Sequence, residues 1–221
     1  MNEKFLAINE ITAAYFRQPE RGAELLEQIR QIVTGEDEEK PRNGRRLVVP
    51  FLSQLGPGAS KNLNDCGPAS VAMVANAVGS KITVDRSTEI CQQKRNKPTS
   101  ISPLMTGMSS VGIKSDYVRP LKAERIKQEI DNGNPIVALV KYTHVPDRNK
   151  EFEHYEGSHY VVIVGYEDDM FEYHDPYHNG GGGAYLTMTE NELDAAMSKF
   201  GQYENMPYQG IVCQIGGKRG L

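Results

Sequence analysis

Cys66 stands in the stretch Asn64-Asp65-Cys66-Gly67-Pro68-Ala69-Ser70, where a polar, glycine-containing turn runs into an apolar helical segment that reaches Val78. The N–H groups left unpaired at a helix N-terminus and the positive end of the helix dipole both favour an anion there. A thiol so placed ionises more readily than a free one when a cationic partner is near. Such a nucleophile also needs a base in hydrogen-bond reach, a group that orients the base, and a donor for the oxyanion of the tetrahedral intermediate. His159 opens the apolar run Tyr160-Val161-Val162-Ile163-Val164-Gly165-Tyr166, and Asp175 closes the next one, in Tyr173-His174-Asp175-Pro176. If these runs pair as a hairpin, His159 and Asp175 fall at the same sheet edge as base and orienter. Gln54, in Val49-Pro50-Phe51-Leu52-Ser53-Gln54, offers a side-chain amide that can join the N–H of Cys66 in an oxyanion hole.

Pro50 to Gln54, Asn64 to Ser70, Gly157 to Tyr166 and Asp175-Pro176 together resemble, in the same order, the C39-like cysteine peptidases of the papain-like superfamily. The resemblance runs from about residue 47 to about residue 213 and is specific as a set. It implies a papain-like fold with Gln54 in the oxyanion hole, Cys66 as nucleophile, His159 as general base and acid, and Asp175 as orienter. It also implies a peptide or protein substrate, with small residues such as Gly before the cut. The best-known members are fused to ABC transporters and cut leader peptides after a double glycine. No transmembrane or nucleotide-binding part is expected within these 221 residues. The same acyl-enzyme passed to an amine would make an acyltransferase, and attack on a side-chain amide a deamidase. A cleft kept without the chemistry would make a peptide-binding module.

The elements that must position these residues follow from periodicity. Phe5, Ile8 and Tyr15, then Leu25, Leu26, Ile29, Ile32 and Val33, recur at helical spacing and predict a two-helix N-terminal extension over 1–35. That pair is available for self-association or a partner contact. Residues 36–46 are charged throughout with Pro and Gly among them, and read as a linker outside any core. The main domain is expected over 47–215. In it, helices should follow Cys66, start near Asp85, and cover Ser102 to Val111, Lys122 to Asn132 and Glu190 to Phe200. Strands should cover Pro135 to Tyr142, Tyr160 to Tyr166, Met170 to His174 and Gly210 to Ile215. This is an α+β order, with helices packed on an antiparallel sheet.

Composition removes other classes. The net charge of −4 leaves no basic field for nucleic acid. No apolar run approaches the roughly 18–20 residues of a membrane span. Three separated cysteines without a C-x-x-C pair argue against a disulfide framework or zinc ribbon, and point to a reduced, cytoplasmic setting. Cys91 and Cys213 are expected to be core thiols. His154, His159, His174, Asp175 and His178 lack metal-ligand spacing, so neither a metal nor another cofactor is expected. Gly180-Gly181-Gly182-Gly183 reads as a loop beside Asp175 that is placed to gate the cleft.

Overall fold

The computed structural model describes residues 43–59, 63–94, 97–152, 155–198 and 207–216, with Leu26 and Ile29, both helical, before them. The chain divides into two units, 1–42 and 43–221. Apart from Leu26 and Ile29, the expected N-terminal helices and most of the expected linker therefore lie outside the described residues.

In the second unit the helices are α1 (Cys66–Ala77), α2 (Val84–Ile90), α3 (Ile101–Ser110), α4 (Ala123–Asp131) and α5 (Glu190–Ser198). The strands are β1 (Gly44–Arg46), β2 (Lys114–Val118), β3 (Ile136–Lys141), β4 (Ser158–Glu167), β5 (Met170–His174), β6 (Leu186–Thr189) and β7 (Gly210–Gln214). They form one antiparallel sheet in the order β2-β7-β3-β4-β5-β6, and β1 pairs with the far end of β4. Three of these strands were not expected. β1 falls within the expected linker, but all three of its residues are exposed, so it extends the sheet without entering the core. β2 is a mostly exposed edge strand with no apolar alternation, and β6 alternates Leu186 and Met188 with threonines but is only four residues long and sits behind the glycine run.

The long apolar runs of β3 and β4 are explained by burial on both faces. Ile136, Ala138 and Val140 pack with Val161 and Ile163 against Ile126 and Ile130 of α4 and Leu193 and Met197 of α5. Their neighbours Val137, Leu139, Tyr160, Val162 and Val164 pack on the other face against Val71 and Val74 of α1 and Leu104 and Met108 of α3. Strands with a helical layer on each side have no polar face, so both residue parities are apolar. Helix ends follow their glycines: Gly79 and Gly133, just past α1 and α4, take left-handed φ values of +85° and +83°.

The β4–β5 hairpin turns through Asp168, at φ 51°. Its register then shifts between Ile163 and Gly165: Gly165 pairs with Glu172, but Ile163 pairs with Tyr173 and Val162 with His174. Cross-strand partners share a face, so this bulge chooses which side each later residue takes. Continuing the register sets Asp175 against Val161, on the face that His159 shares. An unbroken ladder would have set His174 there instead. Among the described residues no helix is long and apolar enough to cross a membrane.

Candidate active site

Cys66 is the first residue of α1 and is nearly buried, at 8% exposure. Its helix is pressed into the domain at Gly67, where a Cβ would stand 2.9 Å from Leu104 and 3.3 Å from Tyr160. Asp65 precedes the helix but its carboxylate makes no cap hydrogen bond. That carboxylate instead accepts from Nε2 of Gln93 at 2.9 Å, and the same nitrogen donates to the Asn64 carbonyl at 2.8 Å.

His159 enters from the second residue of β4, opposite Val140 of β3. Its Nε2 lies 2.6 Å from Oδ1 of Asp175, and both side chains are buried. The Cys66 side chain also acts on the ring, and with Nε2 taken by Asp175 it is Nδ1 that is left for sulfur. Rings of Tyr142, Tyr155 and Tyr177 surround it, Tyr142 edge-on with centroids 5.2 Å apart. Burial pushes the imidazole down, but the Asp175 carboxylate and then the Cys66 side chain push it further up, and it is raised to about 10. An imidazole in that state is a cation at neutral pH, the partner a thiolate needs.

Asp175 follows β5 directly and is wholly buried. Oδ1 accepts from the Tyr177 N–H at 2.8 Å as well as from His159. Two donors on one oxygen fix the carboxylate's plane. Oδ2 is 4.0 Å from Nε2 of His178.

Gln54 is also wholly buried. Its N–H donates to the Pro176 carbonyl at 2.9 Å and its side-chain Nε2 to the Leu63 carbonyl at 3.1 Å. It thus bridges the turn after Asp175 and the loop before Cys66. Cys66, His159 and Asp175 come from three separate segments and converge, and Gln54, from a fourth, reaches the segments that flank them. Cys66 belongs to the apolar cluster under α1 and α3, whereas the rings around His159 belong to the cluster under α4 and α5.

The remaining candidates take structural places. Nε2 of His174 donates to the Val49 carbonyl at 2.8 Å while Nδ1 accepts from Tyr185 N–H at 3.0 Å, which fixes a neutral ring whose titration burial pushes down. His178 donates to the Asn149 carbonyl at 2.8 Å, and His154 lies outside the described residues. Cys91 and Cys213 are fully buried, and burial raises them to about 11 and about 12. Among the described residues no group of His, Cys, Asp and Glu is arranged to hold a metal ion. The tetraglycine does not line the cleft; Gly183 accepts the Asp175 N–H at 2.8 Å and braces the site from behind. Gln93 and the three tyrosines had no sequence signal, since Gln93 follows a partly exposed helix and the tyrosines are scattered, Tyr142 in the turn just after β3 and Tyr155 and Tyr177 in separate loops.

A cleft of about 1070 Å³ opens at Cys66, walled by Ile101 and Met105 of α3 and by Leu139, Tyr155 and Tyr160. None of the described residues lining it carries a charge.

A helical layer that presents a cysteine to a histidine on an antiparallel sheet is the papain-like arrangement. The model of the peptidase C39-like family matches residues 46–211, and the chain belongs to that family. No curated protein matches the chain. Two solved structures share the fold at a TM-score of 0.52. One, from Bacillus anthracis and assigned as a C39-like peptidase, is 18% identical and aligns over 76% of this chain and 96% of its own. The other is a double glycine motif protease from an AMS/PCAT transporter in complex with the leader peptide, 14% identical over 76% of this chain and 93% of its own.

Proposed function

We propose that the protein is a cysteine peptidase, with residues 47–215 as the catalytic unit and Cys66, His159, Asp175 and Gln54 as its machinery. The observation that carries this reading is the buried series from sulfur through imidazole to carboxylate, with His159 Nε2 at 2.6 Å from Asp175. The Cys66 thiolate attacks the scissile carbonyl, and the oxygen that becomes negative takes hydrogen bonds from the Cys66 N–H and the Gln54 amide. His159 gives its proton to the leaving amine, so a thioester remains. Water attacks the thioester, His159 takes its proton, and the acid departs as the thiolate returns. Asp175 holds the ring in one orientation throughout and balances its charge. The uncharged cleft of about 1070 Å³, and a peptide bound to a protein of the same fold, support a peptide as substrate.

A proteome-derived peptide mixture incubated with the protein or with Cys66→Ala, with and without an added primary amine, tests the reading by mass spectrometry. New termini that depend on Cys66 are expected. Amine-capped products would reassign it as an acyltransferase, Asn or Gln converted to acid as a deamidase, and identical mixtures for both proteins as a binding module.

A further inference from the structure

An aspartate immediately before a helix ordinarily caps it, its carboxylate accepting the N–H groups of the first turn. Asp65 does not: its backbone lies at φ −86° and ψ 8°, away from the extended region a cap takes, and it makes no cap bond. Its carboxylate is turned to Gln93, just beyond α2 and 28 residues on in sequence. The amide of Gln93 can be oriented only one way, because Asp65 Oδ1 and the Asn64 carbonyl are both acceptors and both must face its NH₂. One nitrogen, with one hydrogen for each, therefore clamps the two residues that lead into Cys66. Gln54 does the same one residue earlier, at the Leu63 carbonyl.

This has a chemical meaning at the N-terminus of α1. The N–H groups there are the ones an oxyanion would use, and the Cys66 N–H belongs to the peptide unit that starts at Asp65. A carboxylate folded back over them would occupy the donors and set a negative charge beside the sulfur.

Resting on the cysteine-peptidase reading above, we infer that Gln93 is a positioning residue for the oxyanion hole, holding the Asp65 carboxylate off the first turn of α1 and fixing the direction of the Cys66 N–H. It touches neither sulfur nor substrate. Its loss should spare reactions at sulfur that form no oxyanion and impair those that do.

Two probes of Cys66 in the full-length protein separate these. Iodoacetamide is displaced at a saturated carbon and needs no oxyanion hole; p-nitrophenyl acetate acylates sulfur through a tetrahedral oxyanion and releases p-nitrophenolate, which is read by absorbance. Gln93→Ala should keep its iodoacetamide rate within about threefold of wild type and lose acylation by roughly ten- to a hundredfold, the scale of a small misplacement of reacting groups. Gln93→Glu, which sets a carboxylate against Asp65 and the Asn64 carbonyl, should lose at least as much. Gln93→Met keeps the side chain's volume and serves if the alanine variant does not fold. Equal rates for both probes, with or without a lower melting temperature, would reduce Gln93 to a structural role, and a parallel fall in both would place its effect on the thiolate instead. Either result overturns the inference. The reading beneath it fails differently: wild-type acylation that survives Cys66→Ala, or His159→Gln with both rates at the wild-type level.

Discussion

Asp175 and Gly183 are joined back to back: the Asp175 N–H donates to the Gly183 carbonyl at 2.8 Å. A Cβ on Gly183 would overlap the Asp175 carbonyl oxygen and stand 2.9 Å from Phe51 and 3.0 Å from His178. Gly183 is thus a close-fitting support for the carboxylate that faces His159.

Gly183→Ala is expected to push Asp175 out of place, with a stability loss of about 1–3 kcal/mol typical of overpacking and a larger proportional loss of thiol reactivity. Gly181→Ala is the control, because nothing lies within 4 Å of its Cβ position. Melting curves and alkylation rates of the two variants should diverge. Similar behaviour would show that the fit at Gly183 is immaterial.

The ring of His159 should remain protonated at pH 7.5 and lose its proton near about 10, as read from its imidazole NMR shifts. Asp175→Asn removes the stronger of the two causes that raise it, and should return the ring toward the ordinary range near about 6.5. Thiol acylation at pH 7.5 should fall by roughly 10²–10⁴. The sign for stability follows from proton binding. Between about 6.5 and about 10 the folded chain holds a proton on His159 that the unfolded chain releases. The stabilisation from this group is therefore complete below about 6.5 and lost as pH rises toward 10. His159→Gln should lack that decline in melting temperature.

Limiting iodoacetamide at neutral pH should label one cysteine, Cys66, which opens on the cleft. Cys91 and Cys213 are enclosed and held as thiols, since burial raises both. Peptide mapping should find them labelled only after denaturation. Native labelling at Cys91 in equal measure would contradict the assignment.

Gln54→Ala removes a donor proposed for the oxyanion and should lower acylation of Cys66 by roughly 10²–10³, with alkylation by iodoacetamide much less affected. Measuring both rates on one preparation guards against a misfolded fraction, which would lower them together.

Much of this arrangement was legible in the sequence because it is written in short-range signals. Met170–His174 and its hairpin, the helix behind Cys66 and the glycines that end α1 and α4 each follow from local pattern or left-handed φ. Convergence of Cys66 with His159 and Asp175 was legible through the hairpin and the family resemblance. β2 was not, because an edge strand of Lys114, Ser115 and Asp116 shows no alternation. Nor was the one-residue slip between Ile163 and Gly165, which leaves no mark in an apolar run yet gives Asp175 rather than His174 to His159. Gln93 was illegible for a different reason: its meaning lies entirely in two acceptors almost thirty residues away.

The sulfur and the imidazole are anchored in different cores, on opposite faces of one sheet. The gap between them is therefore a difference of two large structures' positions, as the coincidence of two scales is on a vernier. A loosened residue deep under α5 or α1, far from any substrate, would move one scale against the other by tenths of an ångström. Reactivity of the Cys66 thiol would then register slack in either core well before spectroscopy registered unfolding, and second-site repair of a damaged variant could come from the core opposite to the lesion.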